Sequence, residues 1–286
     1  FEALSPLPAA YQYLGQTTKA AERLLEIVTA PPAVVFPDAS HVSREHFHIH
    51  FNHVDFRYQE SDPWVFQGFN LRIEQGRRVA ILGETGAGKS TLLKTTFGFL
   101  KYRKGKIFFK DVELHRLSPF EIKKLGISYI PQGSNNFPYM TVQENLLLGA
   151  WTFRRDKERI KEGLATVYDI FPVMYEKRKH KAEFLSGGEA KILSIAKEMI
   201  SSPDLLLVDE PSAGLGPKIV SYVYEFLRNS QEKGITILLV DQNINQAIDN
   251  SEYLYMLEMG SVAMQGSAHM FKENLKDIIR DSLLGA

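Results

Sequence analysis

Short aliphatic runs and longer amphipathic segments alternate over most of the chain. The runs VAILG, ISYI, LLLVD and TILLV predict strands, and TILLV has the pattern of a strand that is buried on both faces. Segments with helical spacing lie between them, in KSTLLKTTFGFL, in much of 141–200 and near 217–233. This alternation predicts a mainly parallel sheet with helices on both sides.

The segment HFHIHFNHVDFRY, which begins near residue 45, alternates between polar and apolar residues as a strand does. At period two, His46, His48 and His50 share one strand face, with His53 further on. A metal site and a solvated strand face both fit this pattern. The solvated face is favoured, because no carboxylate completes a ligand set.

The first residues follow a different pattern. Residues 11–29 carry apolar side chains at helical spacing, and the Pro31-Pro32 pair ends the predicted helix. We therefore divide the chain into an N-terminal helix and linker, 1–44, and one globular domain, 45–286. The opening FEALSPLP lacks the pattern of a signal peptide, and we expect the chain to be part of something longer.

Composition narrows the function classes. The chain has 286 residues, and its 34 Lys and Arg balance its 34 Asp and Glu, which argues against nucleic acid as the main partner. Cysteine is absent, so disulfides, a thiolate nucleophile and Cys-ligated zinc are excluded. No uncharged apolar run reaches the roughly 18 residues that a membrane helix needs.

GETGAGKS fits the phosphate-binding pattern G-x-x-x-x-G-K-[ST], with an apolar strand before it and an amphipathic helix after it. Its glycines let backbone N–H groups turn inward around an anion, and the helix start adds its dipole. Lys89 would reach the β and γ phosphates of ATP, and the Ser90 hydroxyl would bind Mg²⁺. A glycine-rich turn that matches by chance is the alternative. The predicted nucleotide-binding residues here are Gly83, Glu84, Thr85, Gly86, Ala87, Gly88, Lys89, Ser90 and Thr91.

LLLVDEP, further along, is an aliphatic strand that presents acids at its carboxyl end. We predict that Asp209 binds magnesium and that Glu210 is the general base for the attacking water. Many buried strands end in an acid, so this pattern gains its meaning from the complete phosphate loop before it.

LSGGE has the pattern of a capped helix start. Ser186 and Glu189 form an S-x-x-E capping box, and Gly187 and Gly188 expose backbone N–H groups of the first turn. This predicts a second anion-binding helix terminus. An ordinary capped helix is the alternative.

With these three elements in order, the chain resembles the nucleotide-binding domain of ABC transporters over about residues 47–270. The resemblance implies an α/β P-loop NTPase fold with a mainly parallel sheet, an antiparallel β subdomain and a helical subdomain at about 134–200. It also implies that Gln132, in IPQG, senses magnesium and water. Tyr58, in VDFRY, would stack on adenine or, alternatively, pack on the strand surface.

The resemblance further implies ATP hydrolysis at a head-to-tail dimer, where Ser186, Gly187 and Gly188 serve the partner's nucleotide. It implies a membrane-spanning transporter partner and a peripheral location on the cytoplasmic face of the inner membrane. The aromatics of NNFPYM are candidate partner contacts or a small packing cluster. A dimerising module with little turnover is the first alternative. The second is a soluble ABC ATPase of DNA repair or translation, for which no tandem cassette or long coiled-coil insertion is visible.

Two positions depart from the family pattern. Residues 213–216, AGLG, stand where the family has a sequence close to SALD, so the interface Asp is missing. Gln242, in TILLVDQN, stands where the family's switch histidine is expected. We predict that Gln242 hydrogen-bonds the γ-phosphate, because an amide donates as a neutral imidazole does but cannot become cationic.

The resemblance also divides along the chain. Residues 1–100 resemble exporter half-transporters of the cytochrome bd assembly type, at the join between membrane domain and ATPase. Residues from 104 onward resemble the ATPase subunit of branched-chain amino acid importers. We interpret the chain as a mosaic of these two types.

Overall fold

The computed structural model describes residues 49–273 of the chain. The predicted helix at 11–29, the linker after it and the domain boundary near residue 45 lie outside the described residues. So do His46 and His48.

Four strands form an antiparallel sheet with the spatial order β2-β1-β4-β5. They are β1 (Ile49–Phe56), β2 (Phe66–Ile73), β4 (Lys104–Phe109) and β5 (Val112–Glu113). The predicted alternation of β1 breaks in its middle, where the pairing register shifts and His53 has a φ of 47°. His53 is exposed, and the described residues hold no cluster of three or more metal-binding side chains, which leaves the metal hypothesis without support in this range.

Six further strands form the central sheet, which confirms the predicted mainly parallel arrangement. They are β3 (Arg78–Gly83), β6 (Ile127–Ile130), β7 (Leu205–Asp209), β8 (Thr236–Val240), β9 (Tyr253–Glu258) and β10 (Ser261–Ser267). Their spatial order is β10-β9-β3-β8-β7-β6, and only β10 runs antiparallel to its neighbour.

The aliphatic strands separate two hydrophobic cores. In β7, Leu206 and Val208 belong to the core that contains most of the helices. Leu205 and Leu207 belong to the other core, which the antiparallel sheet covers. Because successive strand residues point to opposite faces, a strand between two cores must be apolar throughout.

Nine α-helices are found within residues 49–273, and no helix of this range is long and apolar enough to cross a lipid bilayer. Ser118, Thr141 and Ser186 form reciprocal capping boxes with the glutamate three residues on, as predicted for Ser186. The helices are α1 (Lys89–Thr96), α2 (Pro119–Lys124), α3 (Val142–Gly149), α4 (Lys157–Ile170), α5 (Pro172–Glu176), α6 (Gly187–Met199), α7 (Pro217–Glu232), α8 (Ile244–Asp249) and α9 (Ala268–Glu273).

Two glycines let α3 and α4 approach the end of α6 closely. A Cβ atom at Gly149 would lie 2.0 Å from the carbonyl oxygen of Lys197, and one at Gly163 would lie 2.6 Å from that of Ile200. Both obstacles are backbone atoms of a packed helix, which cannot rotate away as a side chain can. The packing of these three helices therefore depends on the absence of side chains at both positions.

We expect Gly149→Ala to lower the free energy of unfolding by about 1–3 kcal/mol, because the new methyl group overlaps the α6 backbone. Urea denaturation measures this change. Gly187→Ala is the matched control, since Gly187 also lies at a helix end but its added Cβ meets no atom within 4 Å. Equal stability of Gly149→Ala and the wild-type protein would contradict the packing argument.

Candidate functional site

The loop between β3 and α1 has the backbone of an anion-binding nest. Gly83, Gly86 and Gly88 have φ values of 147°, 90° and 98°, a region that side chains other than glycine rarely adopt. A Cβ atom at Gly83 would lie 2.4 Å from the carbonyl oxygen of Leu257, so this glycine also allows two backbones to pass closely. Thus the loop conformation requires the glycines that GETGAGKS supplies.

Lys89, the first residue of α1, is folded back over this loop. Its Nζ donates hydrogen bonds to the carbonyl oxygens of Gly83, at 2.6 Å, and Glu84, at 2.8 Å. Burial lowers the pKa of Lys89, while the charges of Glu210 and Asp209 oppose that shift. No carboxylate among residues 49–273 forms an ion pair with Lys89, so its charge is available to an anion in the loop.

Asp209 lies at the end of β7 and is joined to the start of α1. The Ser90 hydroxyl donates to Asp209 Oδ1 at 2.8 Å, a contact between residues 119 positions apart. The Tyr129 hydroxyl, from β6, donates to Asp209 Oδ2 at 2.9 Å. Burial and the neighbouring carboxylate both raise the pKa of Tyr129, so its phenol stays a donor at neutral pH.

The oxygen atoms around Asp209 fit Mg²⁺ bound together with a nucleotide. Magnesium prefers oxygen ligands and is usually held by one or two carboxylates plus substrate phosphates, with waters completing the shell. Ser90 and Asp209 supply a hydroxyl and a carboxylate within hydrogen-bond distance of each other. Within the described residues no set of three or more acidic or imidazole side chains offers a metal site without a nucleotide.

Glu210 has an unusual backbone conformation. Its φ is 43°, and its N–H donates to the carbonyl oxygen of Val240, at the end of β8, at 2.8 Å. The Glu210 carboxylate accepts a hydrogen bond from Nε2 of Gln132 at 2.5 Å. A non-glycine residue in this region costs on the order of 1–3 kcal/mol and is found most often at functional sites.

These elements enclose a cleft of about 230 Å³. It is lined by Tyr58, Val65, Thr85, Gly86, Gly88, Lys89, Ser90, Thr91, Glu210 and Gln242. Asp209 and Gln132 each lie one hydrogen bond away, through Ser90 and Glu210. A larger cavity of about 710 Å³, lined by His50, Arg72 and Tyr255 among others, contains none of the predicted site residues.

Tyr58 lies at the rim of the cleft. Its ring is 54% exposed and meets Phe56 edge-on, with ring centroids 5.1 Å apart. Its hydroxyl lies 2.9 Å from Oγ1 of Thr91. Contacts with Phe56 and Thr91 therefore hold the Tyr58 side chain, while part of its ring is exposed to solvent. Stacking of this ring on adenine stays a prediction.

The polar end of TILLVDQN divides into a buried residue and an exposed one. Asp241 is 2% exposed and accepts hydrogen bonds from the Tyr224 hydroxyl, the Ser212 hydroxyl and the Asn243 N–H. Gln242 is exposed and faces the cleft. Asp241 thus anchors the segment, and Gln242 is free to contact a ligand.

The predicted second anion site lies elsewhere on the surface. Ser186 caps α6 and, like Gly187, is exposed, while Gly188 packs against the Ile219 side chain. Lys177 forms an ion pair with Glu189 at 2.5 Å. None of Ser186, Gly187 and Gly188 is among the residues that line the cleft.

Sequence reasoning missed how α6 holds the segment that contains Gln132. Lys191 Nζ donates to the carbonyl oxygens of Pro131, at 2.7 Å, and Gln132, at 3.1 Å. One and two turns later, Ser194 donates to Asn135 Oδ1 and Lys197 to the Asn135 carbonyl oxygen, both at 2.6 Å. The spacing of 191, 194 and 197 places these polar residues on one helix face, and their position in an apolar helix is the signal that could have found them.

Tyr129 and Asp241 are the other functional residues that the sequence did not single out. Tyr129 is the aromatic residue in the strand ISYI, and a buried tyrosine normally needs a partner for its hydroxyl. That rule predicts a hydrogen bond but does not identify Asp209 as the acceptor. Asp241 directly follows the aliphatic strand TILLV, and only the packing of α7, whose Tyr224 donates to it, reveals that it faces inward.

Comparison with known proteins identifies a family whose matched region includes most of the residues of this cleft. Residues 66–213 match the model of the ABC transporter family. The probable branched-chain amino acid transport ATP-binding protein LivF of Archaeoglobus fulgidus is 38% identical over 205 residues, which cover 71% of this chain and 86% of LivF. The glutathione/L-cysteine transport system ATP-binding/permease protein CydC of Escherichia coli is 29% identical over 277 residues, which cover 93% of this chain and 46% of CydC.

Solved structures show the same fold. A nucleotide-free ATP-binding cassette from an ABC transporter superposes with a TM-score of 0.71 at 23% identity, covering 81% of this chain and 95% of that one. LivF and CydC represent the two types that the sequence resembles, the branched-chain amino acid ATPase and the exporter. The predicted fold class is confirmed.

The buried lysines of α6 predict a pH effect on stability. Burial lowers the pKa of Lys197 to about 8, from 10.5. Between these values the unfolded chain binds more protons than the folded one, so this residue makes the free energy of unfolding rise with pH. We therefore expect the free energy of unfolding of the wild-type protein to rise relative to that of Lys197→Met between pH 8 and 10.5, by on the order of 1–3 kcal/mol.

Urea denaturation at several pH values measures this difference. Lys161→Met, which replaces an exposed lysine of α4, is the control and should follow the wild-type curve. If Lys197→Met and wild type depended on pH in the same way, the charge on buried Lys197 would have no influence on stability.

Proposed function

The chain belongs to the ABC transporter family of ATP-binding, ATP-hydrolysing proteins, and we propose that it hydrolyses ATP with Mg²⁺ in the cleft at the ends of β3, β7 and β8. The observation that carries this proposal is the convergence there of Lys89, Ser90, Glu210 and Gln242. They come from three separate parts of the sequence, since only Lys89 and Ser90 are neighbours in the chain. Together they supply a cation, a metal ligand, an acid and an amide donor.

Binding of the triphosphate would rely on the loop and on Lys89. The N–H groups of Gly86, Gly88 and their neighbours would surround the phosphates, with the positive end of the α1 dipole behind them. Nζ of Lys89 would turn from the carbonyl oxygens of Gly83 and Glu84 to the β and γ phosphates. Tyr58, at the rim, would stack on the adenine ring.

Ser90 and Asp209 would hold Mg²⁺, with Gln132 as the third protein residue near the metal. When bound, the ion supplies neutralisation of the charge on the phosphate oxygens. Gln132 donates through Nε2 to Glu210, which leaves its Oε1 available to a metal or a water. Gln132 would thus respond to the metal and to the base together.

Glu210 would act as the general base. Its carboxylate lines the cleft, and Gln132 fixes its orientation. The attacking water would give a proton to Glu210 as its oxygen adds to the γ-phosphorus, while the bond from that phosphorus to the β–γ bridging oxygen breaks and ADP leaves. Gln242 would donate a hydrogen bond to a γ-phosphate oxygen, and Asp241 would keep Gln242 in place.

Ser186, Gly187 and Gly188 would bind the nucleotide of a second ATPase domain. They form an exposed, capped helix start that does not line their own cleft, so they are available to another molecule. Residues 213–216 would lie at the same interface without the aspartate that the family pattern has. The chain would therefore work as a dimer around ATP.

A membrane-spanning transporter subunit or domain would be the other partner, with the chain peripheral on the cytoplasmic face of the membrane. Phe137 and Tyr139, which are 54% and 77% exposed, are candidate contacts close to the segment that α6 holds. The similarity to LivF makes an importer-type membrane subunit the first partner to test. The mosaic interpretation, in which the two types join at about residues 100–104, stays a proposal, because the LivF match over 205 residues and the CydC match over 277 residues both extend across that point.

Gln242 favours one alternative, an ATP-gated dimerising module with little or no turnover. An amide cannot carry the positive charge that a histidine at this position can acquire. Steady-state phosphate release by the purified protein separates the two functions, since only the ATPase releases phosphate continuously.

We expect Glu210→Gln to bind ATP and to dimerise, but to release phosphate at least about 100-fold more slowly than wild type, because it removes the general base. Phosphate release and size-exclusion chromatography with ATP measure the two properties. Glu258→Gln, at the exposed end of β9, is the charge-matched control. Unchanged turnover of Glu210→Gln would refute the assignment of the base.

We expect Gln242→Ala to lower turnover by about 10-fold with little change in ATP affinity, since the lost hydrogen bond would form only with the γ-phosphate. Nucleotide titration and phosphate release measure the two quantities, and the factor corresponds to about 1.4 kcal/mol for one hydrogen bond to a charged group. Asn245→Ala, two residues after Asn243, the N-cap of α8, removes an exposed amide outside the cleft as a control. Equal turnover of the two variants would make residue 242 structural.

A further inference from the structure

Tyr129 contacts the metal-binding side of the site from a strand that carries no predicted site residue. Its hydroxyl donates to Oδ2 of Asp209 at 2.9 Å, while Ser90 donates to Oδ1 at 2.8 Å. Both oxygens of this carboxylate therefore have a donor, and the two donors come from different elements.

The Tyr129 ring is held in place from two sides. The side chain is 8% exposed, and its ring lies 5.7 Å from that of Phe97 and 5.6 Å from that of Phe99, measured between centroids. Phe97 is the residue at which α1 ends, so Ser90 and Phe97 connect both ends of this helix to the Asp209–Tyr129 pair. A hydroxyl on a ring fixed in this way has one position, and Asp209 must adjust to it.

The segment that directly follows β6 also contacts Glu210, the acid next to Asp209. β6 leads directly into Pro131 and Gln132, and Gln132 donates to Glu210 as Tyr129 donates to Asp209. Asp209 and Glu210, which are consecutive at the end of β7, thus accept hydrogen bonds from Tyr129 and Gln132, which lie three residues apart in the chain. The edge strand β6 orients both of them.

This arrangement decides how the Asp209 carboxylate can bind a metal. An ion at Oδ2 would have to displace or share the hydrogen bond from the phenol. At Oδ1 the donor is Ser90, whose hydroxyl oxygen would itself turn to the ion, so Oδ1 is the oxygen that an ion reaches more readily. Mg²⁺ requires near-octahedral geometry and commonly uses single carboxylate oxygens, whereas the larger Ca²⁺ accepts two oxygens of one carboxylate. An aspartate restricted to one oxygen therefore suits Mg²⁺ better than Ca²⁺.

We propose that Tyr129 is a positioning residue that keeps Asp209 a one-oxygen ligand and thereby makes the nucleotide site prefer Mg²⁺ to Ca²⁺. This inference rests on the proposed function, because the metal is the one that would accompany ATP in the cleft. Residues that orient a metal ligand typically change metal affinity by about 10- to 100-fold when they are replaced.

Tyr129→Phe is the variant that tests this role, because it removes the hydroxyl and keeps the ring between Phe97 and Phe99. Tyr255→Phe is the matched control. Tyr255 is a buried tyrosine of the same sheet, at 7% exposure, and its hydroxyl donates to the Arg72 carbonyl oxygen at 2.7 Å, outside the cleft. Thermal melting of both variants reports whether each is folded.

Binding of a fluorescent ATP analogue is measured in EDTA and then in titrations with Mg²⁺ and with Ca²⁺. In Tyr129→Phe we expect half-saturation to need about 10-fold more Mg²⁺, with a smaller change for Ca²⁺, so that the preference for Mg²⁺ shrinks. Affinity in EDTA should be unchanged, since the phenol does not contact the nucleotide loop. Tyr255→Phe should match the wild-type protein in all three conditions.

Identical Mg²⁺ titrations and identical metal preference in Tyr129→Phe and wild type would overturn the inference. If Tyr129→Phe fails to fold, the wild-type titrations decide: half-saturation should need about 10-fold more Ca²⁺ than Mg²⁺, and equal values overturn the inference. If the wild-type protein binds no nucleotide in EDTA or in either metal, the proposed function fails and this inference fails with it. Nucleotide binding without metal preference rejects the inference alone.

Discussion

The parallel alignment of β3, β8, β7 and β6 is the constraint on which the site depends. In this register Asp209 lies beside Val240, and Ile81 lies on the other side of Val240, so three strands end at the same edge. The phosphate loop, the two acids and the switch amide follow directly from those ends. Their convergence is a consequence of strand direction, and the two hydrophobic cores that bury both faces of the sheet keep that direction fixed.

The segment after β6 is held by a different means, namely side chains of α6. Lys191 and Lys197 are 4% and 6% exposed, and both donate to backbone carbonyl oxygens of 131–135. Burying an ammonium group is costly and lowers the pKa of both lysines, and the hydrogen bonds offset part of that cost. The same helix begins at Ser186, so the segment that contains Gln132 is tied to the surface that would meet a second domain's nucleotide.

At the candidate site, the local backbone preference of Glu210 gives way to a tertiary contact. Glu210 takes a left-handed backbone conformation that a glutamate does not favour, and the hydrogen bond from its N–H to β8 maintains it. Disagreement between local propensity and observed structure is expected most at functional positions. Glu210, the proposed general base, shows such a disagreement, and the sequence alone contains no sign of its φ value.

The sequence by itself determined the alternation of β3, β6, β7 and β8 with helices, the capping box at Ser186 and the residues of the phosphate loop, because each of these depends on neighbours within a few positions. It also identified Asp209, Glu210 and Gln242 as strand-end residues, since apolar runs mark where strands stop. Only the tertiary structure decided which groups meet: that Tyr129 donates to Asp209, that Lys191 holds the Gln132 backbone, and that Asp241 faces inward while Gln242 faces the cleft. These contacts join residues far apart in the chain, and their geometry follows from strand register and helix packing, which periodicity in the sequence does not encode.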